Sequence, residues 1–489
     1  MRSLLVAVAL LATVAACPAS NDPAGDDDDD PPDAEVVGDV DAGADAGPAA
    51  RVCDVRDFGA IGDGLAKDTA AIQAAIDACA TGGGVVSLHH GIYLSGTIRL
   101  ASDITLDIAP TAVLRGSQNI ADYPDLFPPF ENTQLGNCRK ALVYAERADR
   151  IRIGGGGTVD GNARGVPDWN GFRIPEARRP MAIFTAGSRD VVVEDLAVDD
   201  AATWAVVHME VEGLVIRDLV VDSNLGPTHD GIDIVDGHDV LIEDVTITSG
   251  DDSICLKSGS ATGTEDVIVR RSHTKQSGVA NGVKFGTASV GSFKRILIED
   301  VLIEHAQAAA MAVESVDGAD IADVTFRRIT VHDVGTPFFV LLGSRDRNPA
   351  QVGTIAGVTF EDIRGSTMRY PWGSLISGTR IGDQVFGISD IRFQDLELTF
   401  KGAGASPNPG PFTVDSFPEY QGPVPGRPGV FYNRYPDAKF IAGVDGNENI
   451  SYLAPAHAIF LRHATNVTFD NCRIRVSGAD PRPWLAIKE

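Results

Sequence analysis

Two short acidic motifs in the middle of the chain carry side chains that can perform acid–base chemistry. The first motif contains Asp230, and the second contains the adjacent pair Asp251 and Asp252. Carboxylates held close together repel one another, so their pKa values separate and one can stay protonated while another is ionised. Such a set can protonate the leaving oxygen of a glycosidic bond and activate a water molecule. Because aspartates also occupy structural turns, the motifs alone leave a catalytic and a structural role open.

The elements that must position these motifs are short strands in an imperfect repeat of about 22–30 residues. Two strand types alternate in a constant order, which predicts an all-β fold, a right-handed parallel β-helix. A propeller has longer blades, and the Leu and Asn pattern of a leucine-rich repeat is absent. The first type begins at Val191, Leu214, Val240, Val267, Ile296, Val324, Val358, Ile391 and Val467, and the second at Met181, Ala205, Gly231, Ser253, Gly282 and Ala310.

Equivalent residues of adjacent coils in such a fold stack about 4.8 Å apart. We therefore predict columns of outward side chains along the second strand type, with the intervening apolar residues in the core. The column just before these strands contains Trp204, Asp230, Asp252, Asn281 and Ala309. The next two outward columns contain Val207, Asp233, Cys255, Lys284 and Ala312, and then Met209, Val235, Lys257, Gly286 and Glu314. One face thus gathers Asp230, Asp251, Asp252, Lys257, Asn281 and Lys284.

A helix and a cysteine pair are expected at the N-terminal end of the repeat. Asp68 to Ala80 has apolar side chains at helical spacing, and this helix would cap the solenoid. Cys53 and Cys79 are a candidate local disulfide bridge. The chain has 6 cysteines, and if Cys17 is lipidated an odd number remains, so at least one stays a thiol. Their spacing fits no zinc site.

The first 50 residues are predicted to be a targeting segment and a tether. Residues 1–17 combine a basic start, an apolar run too short to span a bilayer and a terminal cysteine. This is typical of a lipoprotein signal peptide with Cys17 as the lipidated residue, and an ordinary cleavage site before a chance cysteine is the alternative. Residues 18–50 are acidic and predict a disordered linker, and residues 51–489 the β-helix domain.

The charge balance excludes two classes of partner. The chain has 68 acidic and 41 basic residues and a formal net charge of −27. This argues against nucleic-acid binding, which rests on neutralising phosphates, and against docking on an anionic lipid surface.

Several motifs resemble one known family. Asp57-Phe58-Gly59-Ala60 and Gly91-Ile92-Tyr93-Leu94 are similar to the N-terminal coils of pectin-degrading β-helix enzymes. Thr228-His229-Asp230, followed by Gly250-Asp251-Asp252, resembles the paired aspartate motifs of glycoside hydrolase family 28, the polygalacturonase family. The resemblance extends over about residues 52–485.

This resemblance implies an inverting hydrolase with three aspartates and no metal or cofactor. It implies that Asp251 is the general acid, while Asp230 and Asp252 hold and activate the water. An inverting enzyme keeps about 6.5–9.5 Å between its acid and its base, which leaves room for that water.

Departures from the family's pattern concern the substrate. Asn281 stands where the family has a histidine, and Ala312-Val313-Glu314 replaces its Arg-x-Lys motif. Because the family's cations engage substrate carboxylates, their loss argues against plain polygalacturonan. We predict that other side chains bind the substrate, with a solvated lysine face and a loop arginine as the alternatives. The predicted substrate-binding residues are Asn281, Lys257, Lys284, His229, Trp204 and Arg345.

Three further features are assigned by their position. His208 and His229 are the candidates to replace the missing histidine in supporting the acid. Cys255 lies outward beside Lys257 without an evident base to make it a nucleophile. The irregular insertion Lys401 to Ala454, which includes Phe431-Tyr432-Asn433-Arg434-Tyr435, either walls a cleft or covers the solenoid.

The sequence as a whole predicts a glycoside hydrolase that cleaves a pectin-like polysaccharide, polygalacturonase-like or of the rhamnogalacturonan type. It is expected to be exported and monomeric, and either anchored to the bacterial cell envelope only through its lipid or secreted. A polysaccharide lyase and a non-catalytic surface carbohydrate binder are the alternatives. A lyase would need a basic residue and bound calcium, whereas a binder would not need the three aspartates.

Overall fold

Short strands wind around one apolar core in the computed structural model, which describes residues 51–169, 178–366, 368–407, 410–420 and 453–489. The predicted signal peptide, the linker, the lipidation site at Cys17 and the segment Phe431–Tyr435 lie outside these residues. Ala50–Glu489 forms one compact unit. Within the described ranges, no helix is long and apolar enough to cross a membrane.

In the described part of the chain, two parallel sheets make up the coils, and the first contains twenty strands. In this sheet, sheet 1, apolar side chains alternate with polar ones, so one face packs on the core and the other meets solvent. Its strands are Val52–Asp54, Asp63–Lys67, Gly84–Leu88, Gly91–Ser95, Ile104–Ile108, Ala112–Gly116, Ile151–Gly154, Thr158–Asp160, Arg189–Asp199, Glu212–Ser223, His238–Glu243, Thr246–Ser249, Thr264–Ser277, Ser292–Glu304, Asp320–His332, Thr354–Gly365, Ile388–Gln394, Glu397–Lys401, Ala464–Asp470 and Arg473–Ser477.

The second sheet, sheet 2, contains twelve strands and carries the aspartate motifs at its edge. Its strands are Ile98–Leu100, Ala141–Glu146, Met181–Ala186, Val206–Met209, Ile232–Val235, Ile254–Ser258, Val283–Ser289, Ala309–Ser315, Thr336–Leu342, Ser374–Ser377, Ile459–Arg462 and Leu485–Lys488. Thr379–Ile381 and Gln384–Phe386 form a separate antiparallel hairpin. Short 3₁₀ turns lie at Val55–Phe58, Ile120–Asp122, Thr133–Gly136, Pro167–Trp169 and Pro349–Gln351.

The predicted repeat register is confirmed. The nine starting residues of the first strand type, from Val191 to Val467, pair in an unbroken row along sheet 1. The predicted column through Val207, Asp233, Cys255, Lys284 and Ala312 is also one row of parallel pairing partners. The sequence offsets therefore convert into spatial neighbours along these rows, but the register shifts between Leu256 and Ser258, which interrupts the third predicted column after Lys257.

The N-terminal cap is confirmed with a small difference. The helix spans Thr69–Cys79 and buries Ile72, Ala75, Ile76 and Cys79 against the first coils. The carboxylate of Asp68, which precedes it, accepts hydrogen bonds from the backbone of Ile61 and Gly62 instead of from the helix. The predicted disulfide joins Cys53 to Cys79 and ties this helix to the first strand.

The core is apolar throughout, and its C-terminal half contains a stack of phenyl rings. Phe326, Phe360, Phe393 and Phe469 lie one per coil, with centroid separations of 5.2, 5.2 and 4.9 Å. Their rings are almost parallel, as the repeat dictates, because each ring occupies the same position in its coil. This stack holds successive coils in register from inside.

Sheet 1 is bent where each coil places one residue in the left-handed region, such as Asp244, with φ 53°, and Asp300, with φ 54°. Aspartate tolerates this conformation because its short side chain bonds locally. The residue just before each bend belongs to a solvent-facing column in which the sign of the charge alternates from coil to coil. We call this column the charge ladder, and it contains Glu194, Arg217, Glu243, Arg270, Glu299, Arg327 and Glu361.

The outward face of sheet 2 has two apolar ends. The N-terminal end is covered by a cluster that includes Tyr144, Phe184 and Val207. At the C-terminal end, Phe417 and Tyr420 from the insertion pack on this face, so the described part of the insertion covers the solenoid. The charged residues of the predicted site lie between these two apolar clusters.

Candidate active site

The two stacked aspartates occupy the turns that lead into consecutive strands of sheet 2. Asp230 precedes Ile232–Val235, and Asp252 precedes Ile254–Ser258. The backbone N–H of Gly231 donates to the carbonyl of Asp252 at 2.9 Å, which fixes the two turns one coil apart. Both side chains are almost fully buried. The predicted catalytic column is therefore present, and it is shielded from bulk water.

Asp252 is held as an anion. Its Oδ1 accepts hydrogen bonds from the backbone N–H of Asn281 at 3.0 Å and from Asn281 Nδ2 at 2.8 Å. Lys284 Nζ lies 3.4 Å from its Oδ2. Burial raises the pKa of Asp252, but Lys284, Lys257 and Asn281 outweigh burial, so the pKa lies below the usual aspartate range. Asp252 is ionised at neutral pH.

The pKa of Asp230 is shifted in the opposite direction. Burial raises its pKa well above the usual range, and Lys257, whose Nζ donates to Asp230 Oδ2 at 2.9 Å, only partly opposes this. Lys257 also donates to Asp233 Oδ1, and burial raises the pKa of Asp233 to about 6. One amine thus faces two buried carboxylates, and Asp230 favours its protonated form.

Asp251 lies beside this pair in the same turn and is less buried. Its Oδ2 accepts from the backbone N–H of Thr228 at 2.8 Å, and its Oδ1 accepts from the backbone N–H of Asp252 at 3.1 Å. Its own N–H donates to the carbonyl of His229 at 3.1 Å. The turn therefore holds this carboxylate with two backbone N–H groups while leaving part of the residue accessible to solvent.

The prediction that His229 binds substrate is wrong for its side chain. The imidazole is fully buried, and its Nδ1 lies 3.0 Å from the carbonyl of Gly226. Burial, and then the charge of Arg179, lowers its pKa to about 4. Strand alternation turns the ring away, so the residue supports Asp251 only through its backbone. His208 is buried beside Thr185, and burial lowers its pKa to about 3.

Asn281 and Trp204, both predicted to bind substrate, are engaged inside the site. Both polar atoms of the Asn281 side chain are hydrogen-bonded. Its Nδ2 donates to Asp252, and its Oδ1 accepts from the backbone N–H of Ala309 at 3.0 Å. Trp204 places its ring 4.3 Å from Lys257 Nζ and is only 6% exposed. The ring therefore screens the Lys257 amine instead of offering a face for a sugar.

The three predicted substrate cations are also paired with acids. Lys257 and Lys284 contact the aspartates described above, and Lys284 Nζ lies 4.0 Å from Glu314 Oε1. Arg345 donates from Nε to Asp317 Oδ1 at 2.6 Å. The lysines thus set the charge state of the carboxylates, a role that the sequence interpretation did not give them.

Two residues of the site were missed. Asp233 stood in the predicted column that also contains Cys255 and Lys284, but the column does not show which carboxylate the Lys257 amine reaches. Arg179 is buried, and its Nη2 donates to Thr228 Oγ1 at 2.5 Å, next to the turn that holds Asp251. It comes from the segment before Met181–Ala186, where no repeat pattern signals it.

The site combines Asp252, whose pKa is lowered, and Asp230, whose pKa is raised, with a third acid at its edge. Ligand atoms of Asp230, Asp252 and Cys255 lie within 4.8 Å of one another, but two lysine amines already supply positive charge there. The Cys255 thiol is buried, and burial raises its pKa well above the usual range, which disfavours a thiolate nucleophile. The arrangement suits carboxylate acid–base chemistry on a glycoside.

Comparison with known proteins agrees with this class. The profile of the glycosyl hydrolases family 28 matches residues 91–399, and a rhamnogalacturonase A/epimerase, pectate lyase-like profile matches residues 52–119. A probable polygalacturonase of Vitis vinifera is 26% identical over 332 residues, 63% of this chain and 67% of that protein. An exo-poly-alpha-D-galacturonosidase of Dickeya chrysanthemi is 23% identical over 443 residues, 73% and 72% of the two chains.

A solved structure shows the same fold. The family 28 exopolygalacturonase of Yersinia enterocolitica superposes with a TM-score of 0.62 at 18% identity, covering 90% of this chain and 78% of that one. The fold and the site define a carbohydrate-cleaving parallel β-helix. The chain belongs to family 28 of the glycosyl hydrolases and is a pectin-degrading glycoside hydrolase.

Proposed function

We propose that the site hydrolyses its glycosidic bond with inversion, Asp251 acting as the general acid and Asp252 as the base. The observation that carries this proposal is the opposite pKa displacement of two aspartates stacked on adjacent coils. An ionised Asp252 can accept a proton from water. A protonated Asp230 can orient the same water through a hydrogen bond, so the two carboxylates divide the work.

The acid needs to reach the leaving oxygen from the opposite side of the sugar. Asp251 fits this role because it projects from the turn at the edge of the site and is less buried than its neighbours. When its proton passes to the leaving oxygen, the Asp251 carboxylate becomes negatively charged. The backbone N–H of Thr228 stabilises this charge with a hydrogen bond.

Replacing the acid tests this assignment most directly. Asp251→Asn should lower the release of reducing ends by about 10²–10⁴-fold with the fold intact, as expected for loss of a general acid. Asp239→Asn, the same change at an exposed position of the sheet 1 strand His238–Glu243, is the matched control. Proton magnetic resonance of the first product should show the inverted anomer.

The alternatives give different products. Retained anomeric configuration, or near-normal turnover in Asp251→Asn, would contradict the mechanism. An unsaturated product absorbing in the ultraviolet would indicate a lyase, and binding without any cleavage would indicate a carbohydrate binder.

We infer further that the preferred pectin carries a neutral sugar at one subsite, as rhamnogalacturonan and xylogalacturonan do. Ala312 and Glu314 put a methyl group and a buried carboxylate where the resemblance to the family leads one to expect cations. A uronate at that place would meet a like charge. We expect Glu314→Gln to raise kcat/KM on polygalacturonan by about tenfold relative to rhamnogalacturonan. An unchanged ratio would refute this subsite assignment and leave the hydrolytic mechanism intact.

We also propose that residues 1–17 direct export, that Cys17 carries a lipid, and that the enzyme works as a monomer at the cell envelope. The support is the sequence pattern of this segment alone. Cys17→Ser should move the protein from the detergent phase to the aqueous phase on phase partitioning. Mass spectrometry of the mature N-terminus checks the lipid, and sedimentation checks the monomer.

A further inference from the structure

A group of histidines and acids lies at one edge of sheet 1, away from the catalytic aspartates. Glu304 and His332 are the last residues of consecutive strands and are direct pairing partners. His273 lies near the end of the preceding strand, and His305 follows Glu304 immediately. We infer that this group, which we call the rim cluster, binds one divalent transition-metal ion of the zinc type.

The first reason is the convergence of ligand atoms. The coordinating atoms of Glu304, His305 and His332 all lie within 4.8 Å of one another. His273 Nε2 lies 2.7 Å from Glu304 Oε2, so a fourth ligand points to the same carboxylate. Three imidazoles and one carboxylate are a donor set that suits zinc and its neighbours.

The second reason is the support behind one of these ligands. Asp333 Oδ2 lies 2.8 Å from His305 Nδ1, and Arg369 Nη2 donates to the same oxygen at 2.7 Å. A carboxylate on one ring nitrogen fixes the tautomer and presents the other nitrogen to an ion. This carboxylate–histidine pair is typical of metal sites. A simple ion pair between Asp333 and His305 would not need the additional hydrogen bond from Arg369.

The third reason is the ease with which the cluster can close. In a tetrahedral zinc site, neighbouring ligand atoms lie about 3.4 Å apart, as bonds of about 2.0–2.1 Å require. The ligand atoms of Glu304, His305 and His332, which lie within 4.8 Å of one another, need to approach by up to about 1.4 Å to reach this value. Side chains of His305 and His332 are 45% and 48% exposed, so they can rotate without disturbing the core.

The competing explanation is that these groups only pair between coils. His332 Nδ1 lies 3.7 Å from Glu304 Oε1, which is long for a hydrogen bond, and exposed pairs of this kind contribute little stability. An ion held by residues of three coils would instead fasten these coils together. The rim cluster would thus be a stabilising site, independent of hydrolysis.

Calorimetric titration of the untagged full chain with zinc chloride tests the inference. We expect one ion per chain and a rise in the midpoint of thermal unfolding when the ion is present. Glu304→Gln and His332→Ala should each abolish saturable binding, whereas Asp333→Asn should weaken it by about 10–100-fold. His89→Ala, which alters a histidine–aspartate pair in the first coils, is the matched control.

Two further measurements distinguish loss of the metal site from misfolding of a variant. The variants should keep the far-ultraviolet circular dichroism and the reducing-end release of the unaltered protein, because the rim cluster touches no catalytic aspartate. When cobalt(II) is added in place of zinc, a tetrahedral cobalt absorption band should appear with the unaltered protein and not with Glu304→Gln. Absence of saturable zinc binding, or equal binding by Glu304→Gln, would overturn the inference.

Discussion

The charge ladder on sheet 1 and the catalytic site on sheet 2 use the same kinds of side chain in opposite surroundings. In the ladder, Arg270 donates to Glu243 at 2.8 Å, and the arginine is 38% exposed. In the site, Lys257 faces Asp230 and Asp233 with only 7% of its side chain exposed. Burial therefore separates charges that hold coils together weakly from charges that shift one another's pKa values strongly.

The pKa directions show what this difference means. In the ladder region, the hydrogen bond from Arg328 lowers the pKa of Asp300. In the site, burial dominates and raises the pKa values of Asp230 and Asp233. A β-helix repeat gives every coil nearly the same backbone, so solvent access, and not backbone geometry, decides which carboxylates become reactive.

The largest effect should come from removing the buried amine. Lys257→Met leaves Asp230 and Asp233 without their cation, and breaking a buried pair costs about 3–5 kcal/mol of unfolding free energy. Arg270→Met in the ladder should cost under about 1 kcal/mol, because Arg270 is 38% exposed and Arg271 still contacts Glu243. Urea unfolding measures both, and equal losses would remove the distinction between the two regions.

A smaller effect should appear in the pH dependence of stability. Folded Asp233, with its pKa raised to about 6, binds its proton more tightly than the unfolded chain does. Its contribution is therefore complete below about pH 4 and is lost as the pH rises through about 6. Relative to Asp233→Asn, the unaltered protein should lose on the order of 3 kcal/mol between these limits.

Asp300, which follows Glu299 of the charge ladder, provides the opposite sign for the same experiment. Because the pKa of Asp300 is lowered, its contribution is present above the unfolded value and is lost as the pH falls. The unaltered protein should therefore be more stable than Asp300→Asn at neutral pH. This difference in unfolding free energy should shrink only as the pH falls into the acid range. A loss of the same sign for both variants would show that one environment governs both regions.

The smallest effect concerns salt. Arg270→Glu places three glutamates in successive coils of the ladder, and we expect a cost of about 1 kcal/mol at low ionic strength. Because position 270 is partly exposed, salt should recover more of this cost than of the defect of Lys257→Met, whose side chain is only 7% exposed. Unfolding at two salt concentrations distinguishes the outcomes, and a salt-insensitive ladder defect would contradict the assignment.

Much of the fold could be predicted because its information is periodic. The row from Val191 to Val467, the cap helix and the column through Asp230 and Asp252 follow from spacing alone. The disulfide between Cys53 and Cys79 was predictable because both cysteines border the same short N-terminal segment.

The directions of the site's side chains could not be predicted in the same way. Lys257 and Lys284 were assigned to the substrate because a sequence shows their outward position but not which carboxylate their amines reach. His229 adjoins Asp230, yet its imidazole ring packs inside the turn that contains it. Arg179 lies outside the repeat, so only the folded chain brings it to Thr228.

The alternation of the charge ladder also constrains how this chain can change in length. From Glu194 to Glu361 every coil carries the opposite charge to the coils above and below it. Deleting one coil would bring two like charges together, whereas deleting two adjacent coils would restore the sequence of signs. Growth and shortening of this segment by tandem duplication or loss should therefore be easiest in steps of two coils.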